Sequence, residues 1–136
     1  MGILPDSGPA AEKLEREHIG WLTTVSAGGQ PQSSPVWFVV HDDAIHLQSQ
    51  PDAAKVRNIR ANGKVSFHFN SDREGGDVVT FDADAEVLDT QAPGVLYAYR
   101  SKYETAIRER LRSTPESIIE AYRTPVRVTP RRVRAY

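Results

Sequence analysis

The sequence contains no cysteine, and this absence excludes several kinds of chemistry. Thiol catalysis, disulfide bridges and thiolate metal sites all need that residue. The chain also has no apolar run long enough to span a membrane, and its N-terminus lacks a basic-then-apolar signal pattern. It has neither a Gly-x-Ser-x-Gly nucleophile motif nor a glycine-rich phosphate loop. We therefore expect a cytoplasmic protein that does not bind membranes, and these motifs name no catalytic residue.

Length and charge set the next limits. The 136 residues are expected to form one domain, 1–136, with residues 1–8 disordered. The net charge is −1, yet residues 1–99 hold 7 basic and 14 acidic side chains, whereas residues 100–136 hold 10 basic and 4 acidic ones. Such a basic segment could attract nucleic acid, an anionic cofactor or an acidic protein surface. Nucleic acid is the least favoured partner, because aromatic residues are not interleaved with the basic ones.

Alternating hydrophobicity predicts an antiparallel sheet. Residues 78–88 alternate apolar side chains with a polar set on one solvated face, namely Thr80, Asp82, Asp84 and Glu86. Strands are predicted at 19–25, 32–40, 44–48, 64–70, 78–88 and 124–136. Helices are predicted at 9–17, at 52–61 and, as two or three pieces, within 91–122. Five or six antiparallel strands with separate helices define the α+β class, and closure into a barrel would hide the sheet edges.

The segment from Gln48 to Ile59 carries the strongest functional signal. It follows a predicted hairpin that turns at residues 41–43, breaks at Pro51 and then takes on helical spacing. Lys55 lies about one turn inside this helix, whose first N–H groups and dipole favour an anion, above all a phosphate. The alternative interpretation is an amphipathic connector helix with solvated basic side chains. The residues alone leave both interpretations open.

Several motifs, in their order along the chain, resemble one known family. They run from Gly20 to Val25, from Gln30 to Phe38, from Ala54 to Ile59 and from Val126 to Tyr136. From about Ile19 onward the chain looks like the pyridoxamine-phosphate-oxidase-like split β-barrel family, and most like its short members that use the deazaflavin coenzyme F-420. The resemblance implies an antiparallel split β-barrel with a few peripheral helices. True pyridoxamine phosphate oxidases are longer and end in an Arg-x-His motif, whereas no histidine follows His68 here.

The resemblance also implies a cofactor site. Lys55 and Arg57 would hold the cofactor phosphate, with further hydrogen bonds from Gln48, Ser49, Gln50 and Asn58. The deazaflavin ring would lie along Gln32, Pro35, Val36 and Trp37, although Trp37 could equally be a core residue. Members of the family are two-fold dimers, so we expect a homodimer with two sites at its interface. The implied reaction is hydride transfer from the reduced deazaflavin to an electron-poor, conjugated small molecule, with FMN as the alternative cofactor.

Two other functions remain open. The same barrel could bind FMN or haem without turnover, and a nucleic-acid-binding barrel could use the basic C-terminal third. A further hypothesis gives four arginines to the oligoglutamate tail of the deazaflavin coenzyme: Arg127, Arg131, Arg132 and Arg134.

The remaining polar and aromatic clusters are interpreted structurally. The carboxylates of residues 82–86 would be spread over roughly 13 Å on a straight strand, which favours a solvated face over a metal site. His41, His46 and His68 lack metal-ligand spacing, so no metal is expected. Packing in the core or at a subunit interface is the favoured role of Tyr97, Tyr99 and Tyr103.

Overall fold

A computed structural model describes residues 4–136. The helices within these residues are α1 (Gly8–Arg16), α2 (Ala54–Ala61), α3 (Pro93–Thr105) and α4 (Pro115–Ala121), with a π-helical turn (Ala106–Arg110) directly after α3. The strands are β1 (Gly20–Val25), β2 (Pro31–Val36), β3 (Val39–His41), β4 (Ala44–Ser49), β5 (Lys64–His68), β6 (Val79–Val87) and β7 (Thr124–Ala135). The predicted α+β class is confirmed. None of the described helices is long and apolar enough to cross a membrane.

The sheet is antiparallel throughout, in the order β2-β1-β5-β6-β7-β4-β3. Strands β2 and β3 therefore lie at opposite ends of the sheet, although only Trp37 and Phe38 separate them in sequence. A link of two residues bridges roughly 10 Å at most. The sheet must therefore curl until its two ends come together, and this forms the predicted split barrel.

The barrel interior is packed with aromatic and branched side chains. Strand β6 shows the predicted alternation, with Val79, Phe81, Ala83 and Ala85 buried on one face. Phe38, Phe67 and Phe69 pack edge to face or tilted against one another and fill the centre. Gly20 is needed beside them, because a Cβ there would lie 2.1 Å from the ring of Phe67.

The prediction of one continuous strand over residues 32–40 was wrong. The strand breaks at Trp37 and Phe38, because helix α3 satisfies the backbone of Phe38. The Tyr103 hydroxyl accepts a hydrogen bond from the Phe38 N–H (2.9 Å) and donates one to the His18 carbonyl (2.7 Å). The Lys102 ammonium donates to the Phe38 carbonyl (2.9 Å) and lies 3.7 Å from the centre of its ring. Burial lowers the pKa of Lys102 to about 8.

Other local predictions agree with the structure to within a few residues. The hairpin between β3 and β4 turns at Asp42 and Asp43, whose φ angles of 49° and 63° are those of a two-residue primed turn. Of the N-terminal residues expected to be disordered, 1–3 lie outside the described residues. Leu4 packs against the core, and α1 begins at Gly8.

Candidate functional site

A cavity of about 610 Å³ lies between the barrel and its helical cover. The barrel side contributes His18, Ile19, Pro35, Val36, Trp37, Gln48 and Lys55. The cover, made of α3, the π-turn and α4, contributes Tyr99, Tyr103, Ala106, Arg110, Leu111, Ile118 and Tyr122. Its volume is in the range of sites that hold a small molecule or cofactor, roughly 300–1,000 Å³.

Aromatic rings form much of the apolar wall. Trp37 stacks on Tyr103 with the ring centres 4.4 Å apart and the planes 1° from parallel, and Tyr99 lies tilted beside it. Burial raises the pKa of both tyrosines, so their hydroxyls stay protonated near neutral pH. Trp37 is half-buried: one face of its ring is covered by Tyr103, and the residue also borders the cavity. The two interpretations of Trp37 therefore combine, since it packs against α3 and lines the cavity.

Lys55 reaches the cavity from the first turn of α2. The helix begins after Ala53, which has no side-chain acceptor for the first N–H groups. Within residues 4–136 the Lys55 ammonium has neither a hydrogen-bond nor an ion-pair partner, and desolvation is the one cause that lowers its pKa. Keeping a half-buried cation without a protein partner costs free energy unless a bound anion pairs with it.

The charges around the cavity have one sign. Among the described residues that line it, Lys55 and Arg110 are cationic and none is a carboxylate. This imbalance exists in a chain whose overall net charge is −1. The cavity is therefore suited to an anionic ligand with a planar apolar part.

Five of the residues expected at the cofactor site lie together around this cavity: Pro35, Val36, Trp37, Gln48 and Lys55. Gln48 is already engaged with the protein, because its amide donates to the Tyr122 carbonyl (2.9 Å) and accepts from the Gln91 side chain (2.9 Å). Gln48 therefore joins β4 to the helical cover.

The other expected residues lie outside the cavity lining. Asn58 is buried and donates to the Thr24 hydroxyl (3.0 Å) and to the Gln32 side-chain oxygen (2.8 Å). These two bonds fasten α2 to strands β1 and β2. The exposed Arg57 donates to the carbonyl of Asp52 (2.5 Å). The buried hydroxyl of Ser49 donates to the carbonyl of Gln50 (3.0 Å), immediately before α2. These side chains hold the segment that carries Lys55.

Three of the four β7 arginines that the hypothesis gave to an oligoglutamate tail are already paired with carboxylates, whereas the exposed Arg132 has no hydrogen-bond or ion-pair partner among residues 4–136. Arg134 pairs with Asp82 through two hydrogen bonds of 2.7 and 2.8 Å, and Arg131 pairs with Asp84 at 2.6 Å. Arg127 pairs with Glu86, and Lys64 joins Asp84 at 2.9 Å. These contacts lower the pKa of Asp82 and of Asp84. The carboxylates of β6 and the cations of β7 and Lys64 thus form a cross-strand ion-pair ladder.

The sequence interpretation did not consider seven residues of the cavity wall as site candidates: His18, Ile19, Ala106, Arg110, Leu111, Ile118 and Tyr122. Their contribution depends on how α3, the π-turn and α4 fold over the barrel. One local signal exists, because Tyr99, Tyr103, Ala106 and Arg110 are spaced four, three and four residues apart, as on a single helical face. Tyr97, by contrast, is 74% exposed.

Comparisons with known proteins agree with this fold. A sequence profile of the pyridoxamine 5'-phosphate oxidase family matches residues 9–136, so the chain belongs to that family. No curated protein matches the chain in sequence.

Among solved structures, the haem storage protein HutZ from Vibrio cholerae is 20% identical, with a TM-score of 0.71 over 91% of this chain and 89% of its own. An F-420 reductase is 22% identical, with a TM-score of 0.70 over 90% and 94%. A FAD-binding protein from Mesorhizobium loti is 19% identical, with a TM-score of 0.61 over 90% and 85%. At these identities the likeness extends to the fold alone.

Proposed function

We propose that the protein is a deazaflavin-dependent reductase that uses coenzyme F-420 and reduces an electron-poor, conjugated small molecule. The observation that carries this proposal is the Lys55 ammonium beside an aromatic cavity wall, with no ion-pair or hydrogen-bond partner among residues 4–136. Membership of the pyridoxamine 5'-phosphate oxidase family and the shared fold of an F-420 reductase support it.

The residues present fit such a cofactor in charge and in shape. A flavin-type cofactor combines a planar ring with an anionic phosphate. Lys55 and the N-terminus of α2 offer a cationic place for the phosphate. Trp37, Val36 and Pro35 offer an apolar surface for the ring. The cavity lining within residues 4–136 has no carboxylate that would repel the phosphate.

When bound, the reduced deazaflavin supplies a hydride, so the protein has to bind, orient and shield. Trp37 is fixed by its stack on Tyr103 and by the hydrogen bonds that hold Phe38, so it presents a rigid wall. The helical cover limits the access of water to the cavity. Its tyrosine hydroxyls stay protonated, while the balancing proton comes from a side chain or from solvent.

We infer that the working form is a homodimer. Strand β2 lies at one end of the sheet, and four of its six residues are exposed, including all three on the face of Pro31, Ser33 and Pro35, so one edge and one face are open to a partner. It also precedes Trp37 and therefore borders the cavity. Sedimentation equilibrium should give twice the mass of 15.1 kDa; a single-chain mass would contradict the dimer.

A second candidate is a binding module that holds FMN or haem without turnover. The exposed His18 borders the cavity and has no hydrogen-bond partner for its ring nitrogens among residues 4–136, so its imidazole would be the group to bind the iron if haem entered the cavity. A protein purified with tightly held yellow FMN, or with haem absorption that His18→Ala removes, would favour this module. A colourless protein that needs added coenzyme would favour the reductase.

A fluorescence titration tests the proposal directly. Trp21 lies away from the cavity, stacked on His68, so Trp21→Phe leaves Trp37 as the reporter. Cofactor-free protein should bind F-420 saturably, more tightly than FMN, and the complex should oxidise reduced F-420 when a conjugated acceptor is added. Preference for FMN without turnover would move the protein to the module. Binding of neither compound would contradict both candidates.

A further inference from the structure

Arg110 is the arginine of the helical cover that lines the cavity; Arg112 also has no hydrogen-bond or ion-pair partner among residues 4–136 but lies outside the cavity lining. Three arginines of this region pair with acids: Arg100 with Glu116 (2.7 Å), Arg108 with Glu104 (3.4 Å) and Arg123 with Glu120 (4.0 Å). Arg110 borders the cavity and, among residues 4–136, has no hydrogen-bond or ion-pair partner. Its guanidinium is therefore available to a ligand.

The π-turn determines where Arg110 lies. The N–H of Leu111 bonds to the carbonyl of Ala106 (3.1 Å), a bond across five residues that widens the last turn after α3. Ala106, Arg110 and Leu111 all border the cavity. The chain then reverses at Arg112, whose φ is +52°, and α4 returns Ile118 and Tyr122 to the same cavity. Such π-turns are rare in proteins, and those that do occur are often found at functional sites.

The two cations of the cavity come from different elements. Lys55 belongs to α2 on the barrel, and Arg110 belongs to the cover. The proposed function, on which this inference rests, gives the cofactor phosphate to Lys55. Arg110 is then left for a second anionic group, and the F-420 titration below distinguishes a carboxylate on the substrate from the oligoglutamate tail of the cofactor.

We propose that Arg110 binds a carboxylate on the substrate, so that the substrates are conjugated carboxylic acids. Guanidinium pairs with carboxylate through two parallel hydrogen bonds, which fixes orientation as well as position. In the reduction, a hydride from the cofactor adds to one carbon of the substrate C=C bond and a proton adds to the other. The carboxylate keeps its charge throughout, so Arg110 acts by binding and orienting.

The test compares a charged ligand with its neutral counterpart. Trans-cinnamate and cinnamamide share a planar conjugated body and differ in charge. Lys55→Ala provides the background for the test, because it leaves Arg110 as the cation of the cavity lining among residues 4–136. Calorimetric titration of this full-length, cofactor-free protein should show about fivefold tighter binding of cinnamate. Arg110→Gln should remove this preference, and Arg110→Lys should keep part of it. Arg108→Gln is the matched control, because Arg108 lies on the same turn but is paired with Glu104.

Titration with F-420 separates this inference from the proposed function. Arg110→Gln should leave the F-420 affinity unchanged, whereas Lys55→Ala should lower it. The inference is overturned if Lys55→Ala protein shows no preference for cinnamate, or if the preference survives when Arg110→Gln is added to it. It is also overturned if Arg110→Gln weakens F-420 as strongly as Lys55→Ala, since Arg110 would then hold the cofactor. If wild type bound neither F-420 nor FMN, the proposed function would fail, and the cinnamate comparison would still decide the role of Arg110.

Discussion

The ion-pair ladder on β6 and β7 and the cavity beneath the helical cover both contain cations, but in opposite situations. On the ladder, Arg127, Arg131 and Arg134 each face a carboxylate across the strands. In the cavity, Lys55 and Arg110 face no carboxylate among residues 4–136. The ladder has the higher density of arginine in the sequence, yet these three arginines are already paired. What indicates a ligand is therefore an unbalanced charge in a cavity.

The same contrast exists within α2 and gives the largest expected effect. Asn58 has both amide hydrogens engaged by the barrel, whereas Lys55 has no partner among the described residues. Asn58→Ala should lower the free energy of unfolding by about 1–3 kcal/mol, because it leaves the buried hydroxyl of Thr24 without its partner. Urea denaturation measures the change. The neighbouring Arg57→Ala should alter stability by less than about 0.5 kcal/mol. Equal effects of the two variants would show that Asn58 does not fasten α2.

A carboxylate placed in the cavity should make it resemble the ladder. Ala106→Glu puts an acid four residues before Arg110, within reach of an ion pair on the same helical face. Affinity for FMN should fall about fivefold, because the added carboxylate repels the phosphate. Ala121→Glu on α4 is the control, because Ala121 is exposed and lies outside the cavity lining. Unchanged FMN affinity in Ala106→Glu would argue that the anion binds elsewhere.

Removal of a carboxylate from the ladder should have the smallest effect. Asp84→Asn takes away the shared partner of Lys64 and Arg131 and so leaves two surface cations unpaired. The variant should elute from a heparin column at slightly higher salt than wild type, while its FMN affinity stays the same. A large loss of FMN affinity would show that the ladder contributes to the binding site, and the contrast between ladder and cavity would then be wrong.

Much of the fold could be predicted because it is written in local patterns. The alternation along β6, the acidic turn after β3 and the helical spacing around Lys55 each depend on neighbouring residues. The break at Phe38 could not be predicted, because its apolar surroundings are typical of a strand and its hydrogen-bond partners, Lys102 and Tyr103, are more than sixty residues away. His18, Arg110 and Tyr122 reach the cavity through tertiary packing for the same reason. The motif around Lys55 predicted a cluster of ligand-binding residues, of which the structure uses Asn58 and Arg57 to hold the helix.

Whether each arginine forms an ion pair explains why the basic C-terminal third was difficult to interpret from the sequence. Its arginines form one group in the sequence, but the fold divides them between β7 and the helical cover. Three of the four on β7 meet the acids of β6, and Arg110 of the cover meets none among the described residues. Composition reveals the total charge, whereas only the register of β6 against β7 reveals which charges cancel.

The most direct test of the central claim is whether Lys55 recognises a phosphate. FMN and riboflavin differ only by that group, so the ratio of their affinities isolates it. Both should be titrated against Trp21→Phe protein by Trp37 fluorescence, with Lys55→Ala and Lys64→Ala added in turn. We predict that the parent binds FMN about tenfold more tightly than riboflavin, that Lys55→Ala loses this advantage and that Lys64→Ala keeps it. An advantage that persists in Lys55→Ala would contradict the account.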